Sequence, residues 1–577
     1  MSRLSPEVER RRRFATRTLP LALIAVVAFV VGAAVGTPGS PQKDAANAFA
    51  RAWASKNFAA MYAELNDASR AAVSLAEFTA AYREAEQVAT MEALRPGSAH
   101  DPGSSEGRTV VTVPLGVITV AFGRLEDELE LPFAEGGVAW DPSLVFPGLN
   151  AGEKLANEIE LAPRAAILAS DGTPLAEGPA DEREHPLGSA AIDVTGEVGM
   201  PSEEAMAKLV RHGFSAETPV GISGLEQAFN ARLAGKPGGK LLAVGESGSP
   251  RVLAESEPEA GAPVKTTIDA ALQETAVAAL AGRAGGIAVL DAKNGDVRAL
   301  AGQAFSAPQP PGSTFKIVTT TAALQKGLVS LDDEFEIVDG VNVGGRFISN
   351  ANGEFCGGTF REAFAESCNA DFAPLGPQIG NNALVGTAER FGFNSAPTLY
   401  SPRIVREVGP AESTIPEQIG EEIDLGVSAI GQGEVLATPL EMASVAQTIG
   451  NGGVREPTSI VNNKKLRPDA KPVRVMSKKI ADELTELMVG VVTGGTGTAG
   501  AISQAQVAGK TGTAELGPKP GQENKENPEQ IKDAWFSAFV PAGGAKLAIG
   551  VLLIEAEAAG GEVAAPAAAE VLSAGLG

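Results

Sequence analysis

Pro310-Pro311-Gly312-Ser313-Thr314-Phe315-Lys316, running into Ile317-Val318-Thr319, is the stretch on which the reading of this chain turns. The Pro-Pro-Gly breaker stops whatever precedes it. Ser313 then opens a run, Thr314 to Leu324, that reads as a largely buried helix, with Lys316 one turn on and on the same face. A serine at a helix start with a lysine at i+3 is a nucleophile with a built-in base, or it is an N-cap followed by a solvated lysine. The pattern is short. Ser40-Pro-Gln-Lys43 repeats it without a helical context, so the rest of the chain has to decide.

The composition narrows the chemistry. At 577 residues, 44% hydrophobic and 20% charged, the chain is globular and long enough for roughly three domains. A net charge of −24 argues against nucleic acid, whose phosphates such a surface repels. Two cysteines, Cys356 and Cys368, exclude a cysteine-rich zinc site or a disulfide-built scaffold. The three histidines, His100, His185 and His212, all precede the Ser313 region, and nothing after residue 212 contains one. A Ser-His-Asp triad is therefore disfavoured, and lysine becomes the natural base if burial or nearby cations leave it partly neutral.

Read in order, the chain begins with a basic tail (1–18) that includes Arg10 to Arg13 and Arg17. An uncharged stretch from Leu19 to Gly36 follows, near the lower length limit for spanning a bilayer. Arginines on its N-terminal side predict the tail inside and residues 40–577 exported, either behind an uncleaved anchor or behind a signal peptide cut near Ala34-Val35-Gly36. Residues 44–150 read as a small α+β unit. Phe49, Trp53, Phe58, Met61, Tyr62 and Leu65 make an amphipathic pattern, and Ser74-Leu-Ala-Glu77 is a capping box opening a helix with Leu75, Phe78 and Tyr82 on one face. Four strand-like runs follow, Thr109 to Val113, Val117 to Phe122, Leu125 to Leu131 and Gly137 to Trp140. Residues 151–262 read as an extended pedestal with a Gly/Pro/Ser/Glu-rich end from Glu246 to Pro263.

From 263 to 577 the signals sharpen. Asp269 caps a helix bearing Leu272, Ala276 and Leu280, and Gly286 to Leu290 turns through Asn294-Gly295 into a strand from Val297 to Ala301. Three more strands are predicted at Ala505 to Thr513, Ala534 to Val540 and Lys546 to Ile554. Two strands early and three late, with helices between, predict one antiparallel sheet covered by helices in a multidomain α+β chain. Ser367-Cys-Asn369 lies 54 positions after Ser313, and Lys510-Thr511-Gly512-Thr513 follows 143 after that, inside a predicted strand. Ser-x-Asn alone is weak, since Ser55-Lys-Asn57 matches too. The ordered set on a histidine-free domain is specific.

These three motifs make the chain resemble the penicillin-recognising serine acyl-transferases, whose signatures are Ser-x-x-Lys, Ser-x-Asn and Lys-Thr-Gly. The longer forms Pro311-Gly-Ser-Thr-Phe-Lys316 and Gly509-Lys-Thr-Gly-Thr-Ala-Glu515 look like high-molecular-weight penicillin-binding proteins, as do Ile268-Asp-Ala-Ala-Leu-Gln273, Gly431-Gln-Gly433 and Gly495-Thr-Gly-Thr-Ala499. The resemblance spans about residues 150–570 and, with no glycosyltransferase-sized domain ahead, is to class B, transpeptidases only. It implies a dimerisation or pedestal domain over 151–262 and a transpeptidase domain over 263–577. The 44–150 unit resembles the nuclear-transport-factor-like domain (MecA N-terminal type) of one branch.

The resemblance implies that Ser313 attacks the carbonyl between two D-alanines of a peptidoglycan stem and forms an acyl-enzyme. Lys316 takes its proton, Lys510 helps electrostatically, and Ser367 relays a proton to the leaving amine. Asn369 holds the substrate amide and orients Lys316. Lys510 and Thr511 meet the substrate carboxylate, Gly512 permits close approach, and the backbone N–H groups of Ser313 and Thr513 form the oxyanion hole. β-Lactams acylate Ser313 in the same way. The implied partners are stem peptides ending in D-Ala-D-Ala, a membrane glycosyltransferase and the cytoplasmic membrane, with no metal and no cofactor. Hydrolysis, as in a D,D-carboxypeptidase or class D-like β-lactamase, is the rival with the same chemistry, and a non-catalytic β-lactam-binding scaffold or sensor the rival without it. Cys356 and Cys368, twelve apart in an exported chain, read as a disulfide bracing the second motif or as two buried thiols. Gly494-Gly-Thr-Gly-Thr498 reads as a structural turn rather than a phosphate loop, since no Gly-Lys-Ser/Thr follows.

Overall fold

A computed structural model describes residues 40–577 except 106, 212–217, 246–247, 403–408 and 523–528. The expected tail and anchor, residues 1–18 and 19–36, and the alternative signal-peptide cleavage point lie outside the described residues. Among those described, no helix is long and apolar enough to cross a membrane. The chain divides into two units, each with its own core. The first comprises the described parts of 1–161, 203–216 and 236–259, and the second those of 162–202, 217–235 and 260–577.

In the first unit, helix α1 (Pro41–Ala54) starts from Ser40, whose side chain accepts from the Lys43 amide at 3.2 Å. The Ser40 pattern therefore does open a helix, contrary to expectation, because Pro41 is pre-set for the first helical position and Ser40 caps it. What separates Ser40 from Ser313 is its surroundings. Helix α2 (Leu75–Val88) carries the predicted capping box, with both Ser74–Glu77 bonds formed. Phe78 and Tyr82 are buried, but Leu75, at the first helical position, stays 41% exposed. Tyr82 packs edge-on to Trp53, with ring centroids 5.0 Å apart.

Strands β1 (Met91–Pro96), β2 (Arg108–Thr119) and β3 (Arg124–Ala134) lie in that order, antiparallel, with Gly137–Val138 extending the sheet beyond β3. The first two strand-like runs of the sequence are thus one strand. Pro114, which lies between the two runs, pairs with Glu128 of β3. Its carbonyl accepts from Gly97 just past the end of β1, so its missing N–H falls where no ladder bond is required. Strands β4 (Lys154–Glu160), β5 (Gly238–Val244) and β6 (Arg251–Ser256) form a second antiparallel sheet in the order β6-β5-β4, and Leu241 joins the core of this unit. Residues 151–262, expected as one pedestal, accordingly contribute to both units. The part in the second unit is held by a buried ionic cluster. Glu226 accepts from Arg164 Nε at 2.7 Å and Arg183 Nε at 2.8 Å, and Arg164 also reaches Asn230 Oδ1 at 2.9 Å.

The second unit is built on one sheet. Helix α3 (Ala270–Leu280) starts at Asp269, whose side chain accepts from the Leu272 amide. Strands β7 (Gly285–Asp291) and β8 (Val297–Gly302) form the predicted hairpin. Between them and the late strands run helices α4 (Lys316–Lys326), α5 (Phe360–Glu366), α6 (Pro439–Gly450) and α7 (Lys478–Thr493). Strands β9 (Ala508–Pro518), β10 (Gln530–Val540) and β11 (Leu547–Leu553) then lead to helix α8 (Gly560–Leu576). All neighbours are antiparallel in the order β8-β7-β11-β10-β9.

Side-chain alternation assigns the two faces of this sheet. Ile287, Val289, Phe536, Ile549 and Val551 pack with α3 and α8, while Ala288, Leu290, Trp535, Phe539 and Leu552 face the opposite way toward the other helices. Covering on both faces is why β7 and β11 read as continuous apolar runs. Strand β9 is an edge, and the turn bearing Ser313 lies against it.

Candidate active site

The Pro-Pro-Gly breaker produces a short 3-10 turn, Gly312–Phe315, that feeds directly into α4. Gly312 has φ +52° and its amide donates to the Gly431 carbonyl at 2.9 Å. A Cβ there would come within 2.7 Å of the Thr513 carbonyl oxygen, so glycine is required both for the conformation and for the approach of this turn to β9. Gly512 is similarly constrained, since a Cβ would lie 2.7 Å from the Pro311 carbonyl oxygen. Ser313 is half-buried. Among the described residues its hydroxyl makes no hydrogen bond to the protein, which leaves it open to a substrate.

Lys316 is fully buried one turn on. Its Nζ donates to the Ser367 carbonyl at 2.7 Å and to Asn369 Oδ1 at 2.8 Å, with Ser367 Oγ at 3.3 Å. Lys510, on β9, is also fully buried. Its Nζ donates to Ser367 Oγ at 2.8 Å and to the Thr511 carbonyl at 3.1 Å. Ser367 Oγ therefore lies between the two amines. The residue sits in the left-handed conformation, φ +65°, at the C-terminus of α5, a strain of roughly 1–3 kcal/mol for a non-glycine residue. That turn is tied on its next residue, where Cys368 forms a disulfide with Cys356 across a Cα–Cα distance of 5.8 Å. Asn369 opens the one-turn helix Asn369–Phe372. Its Nδ2 also donates to the Ser349 carbonyl at 3.0 Å, so the side chain is fixed from both ends.

Every acceptor on the two amines is an uncharged oxygen. Burial pushes Lys316 well below its usual range, Lys510 nearby adds to this, and Asp371 opposes it. Burial pushes Lys510 down to about 7. Both ammonium groups also lie over aromatic faces, Lys316 Nζ 5.1 Å from the centroid of Phe372 and Lys510 Nζ 5.6 Å from that of Phe364. The site thus holds a serine, two amines able to be neutral near physiological pH, and a hydroxyl between them able to pass a proton.

The structure brings Ser313, Lys316, Ser367, Asn369, Lys510, Thr511, Gly512 and Thr513 to one place. Thr511 Oγ1 is 2.6 Å from Thr496 Oγ1. Thr496 belongs to the glycine-rich turn read as structural, which also ties to the end of α5 through the Thr496 amide and the Ala365 carbonyl at 3.1 Å. That contact was missed because nothing local in the sequence points from residue 496 to residue 511. Beside Ser367 a groove of about 610 Å³ leads away, lined by Asn350, Phe355, Arg361 and Glu366 among others.

The family model described as the penicillin binding protein transpeptidase domain matches residues 285–573, and that of the penicillin-binding protein dimerisation domain matches residues 177–266. Peptidoglycan D,D-transpeptidase PbpA of Mycobacterium tuberculosis is 36% identical over 296 residues, 48% of this chain and 57% of that protein. Peptidoglycan D,D-transpeptidase FtsI of Escherichia coli is 28% identical over 400 residues, 63% of this chain and 64% of that one. The chain thus spans less than two thirds of the length of these curated relatives. Among solved structures, the ceftriaxone acyl-enzyme complex of penicillin-binding protein A from M. tuberculosis matches with 27% identity and a TM-score of 0.57, over 72% of this chain and 99% of that one. The D,D-transpeptidase domain of a peptidoglycan glycosyltransferase from Eggerthella lenta matches with 28% identity and a TM-score of 0.56, over 72% and 98%.

Proposed function

This chain belongs to the penicillin-binding protein transpeptidase family, and from that premise we propose that it is a peptidoglycan D,D-transpeptidase working through an acyl-enzyme on Ser313. The observation that carries the reading is Ser367 held between the buried amines of Lys316 and Lys510, with Lys316 one turn on from Ser313, whose hydroxyl is uncommitted. Lys316, neutral when its proton has been lost, takes the proton of Ser313 Oγ as that oxygen attacks the carbonyl between the two D-alanines. The negative charge that develops on the carbonyl oxygen is met by the N–H groups of Ser313 and Thr513, each contributing about 3–4 kcal/mol by analogy with other oxyanion holes. Collapse breaks the peptide C–N bond, and the departing D-alanine nitrogen receives a proton through Ser367. Lys510 and Thr511 hold the substrate carboxylate. An amine of a neighbouring stem then attacks the acyl group and forms the cross-link.

Penicillin and other β-lactams acylate the same oxygen, a reading supported by the acyl-enzyme complexes solved for a relative. The finer assignments are part of the same proposal. Residues 19–36 anchor the chain in the cytoplasmic membrane with the catalytic domain outside, as the arginine-flanked uncharged stretch suggests. A membrane glycosyltransferase supplies the strands to be joined. The 44–150 unit, nuclear-transport-factor-like in its order of helices and sheet, serves as a spacer or docking module.

Intact mass after benzylpenicillin treatment tests the nucleophile: the wild type gains one penicilloyl group and Ser313→Ala gains none. Incubation with a donor peptide ending in D-Ala-D-Ala and an acceptor amine tests the reaction class. Release of D-alanine with an aminolysis product is expected, and release with hydrolysis alone would reassign the protein as a carboxypeptidase.

A further inference from the structure

Two amines are buried at this site, and none of their hydrogen-bond acceptors carries a charge. One carboxyl group is buried there as well. Asp371 is two residues past Asn369 on the same one-turn helix, is only 6% exposed, and its Oδ2 has no hydrogen-bond partner. The next residue, Phe372, is the ring over which Lys316 Nζ sits. A buried carboxylate oxygen left unpaired is costly. We propose that Asp371 is a positioning residue, the counter-charge for the ammonium that Lys316 becomes when it takes the proton of Ser313 Oγ.

The inference rests on Lys316 being the base of the proposed reaction. In that step the O–H bond of Ser313 breaks and an N–H bond forms on Lys316. The positive charge stays on a fully buried nitrogen while the negative charge passes to the carbonyl oxygen of the substrate. The Ser367 and Asn369 oxygens offer the new ammonium dipoles only. Asp371 offers a charge, acting through space rather than through an ion pair, since no salt bridge joins it to Lys316 among the described residues.

Lys316 is the buried cation that the Asp371 helix itself touches, through Asn369 Oδ1 and the Phe372 ring. The strands packed on its helix, Gly340–Val343, Arg346–Ser349 and Cys356–Thr359, and the helix Leu375–Ile379 carry one titratable side chain, Arg346, which is exposed. Burial raises the Asp371 carboxyl and Lys316 lowers it, leaving it pushed up to about 6. Lys316 is drawn up by Asp371 and down by Lys510.

The test is the pH dependence of the acylation rate, measured with a fluorescent penicillin on the wild type, Asp371→Asn and Asp371→Ser. An opposite charge nearby favours the protonated amine, so its removal lets Lys316 lose its proton at lower pH while making the ammonium harder to form. Both variants should therefore acylate up to about 10-fold more slowly at pH 7.5, with the acidic limb of the profile moved down by about one pH unit. A limb that stays in place while the rate falls would make Asp371 merely structural and overturn the inference. So would a rate and a limb both unchanged from wild type in the two variants. Absence of acylation in the wild type is a different failure, and would overturn the proposed function itself.

Discussion

Lys316 and Lys510 put two of the most strongly hydrated side chains where no water reaches, and this sets both the chemistry and its cost. An amine pushed down in the folded chain binds its proton less readily there than in the unfolded chain, where its pKa is near 10.4. Between the two values the unfolded state carries more protons, so stability rises with pH across that window. For Lys510, pushed down to about 7, the window runs from about 7 to 10.4 and the penalty below it is on the order of 5 kcal/mol, less the hydrogen bonds made to Ser367 and Thr511. Lys510→Met should therefore gain on wild type in urea midpoint at pH 7 and lose that advantage by pH 10. An advantage independent of pH would mean that the amine is not held neutral. Lys316→Met removes the proposed base instead. It should slow acylation by about 10²- to 10⁴-fold with the far-UV spectrum unchanged, whereas a fall under tenfold would mean that another group takes the Ser313 proton.

The elements around these residues are short, and their positions depend on staples. The left-handed turn at Ser367 ends a seven-residue helix, and the Cys356–Cys368 bond fixes the position beside it. In the chain-entropy account, closing a loop of this length stabilises by about 3 kcal/mol. Cys356→Ser combined with Cys368→Ser should lower the unfolding free energy by that order and slow acylation, because Ser367 Oγ loses its fixed place between the amines. Unchanged acylation in the double variant would show that α5 and Asn369 suffice to hold the turn. In the segment 162–235, Glu226 is the hub of the Arg164–Arg183 cluster, so Glu226→Ala leaves two guanidinium groups without their buried carboxylate. A loss of about 3–5 kcal/mol in urea unfolding is expected, and a loss under 1 kcal/mol would show that water replaces the carboxylate. What was legible at this scale followed local signals. The capping box at Ser74, the Asp269 cap and the strands of the large sheet were read correctly because each is written within a few residues. Strand β1 was not, since Met91-Glu-Ala-Leu-Arg-Pro96 has no clean alternation and is half-exposed. Asp371 and Thr496 were missed for another reason. Their roles depend on Lys316 and Thr511, which only the folded chain brings near.

At the scale of the whole molecule, the motifs sit on one unit and the chain reaches it by an interrupted route. Residues 162–202 and 218–235 fold with the second unit, while the described parts of 236–259 return to the first. Glycine, proline and serine content could suggest extended connections there, but not which unit each would join, because that depends on strand partners far away: β5 pairs with β4 across roughly eighty residues. The three tryptophans allow the two cores to be followed separately, since Trp53 and Trp140 belong to the first unit and Trp535 to the second. In Trp535→Phe, indole fluorescence reports the first unit alone, while far-UV circular dichroism reports both. Ser313, the proposed site of acylation by benzylpenicillin, belongs to the second unit. Acylation should shift the thermal midpoint seen by circular dichroism and leave the midpoint seen by fluorescence where it was. Each unit has its own hydrophobic cluster, and stability is carried chiefly by buried apolar contact within such a cluster. If the fluorescence midpoint moves in step with acylation, the two cores unfold as one cooperative system, and the first unit is then energetically coupled to the chemistry at Ser313.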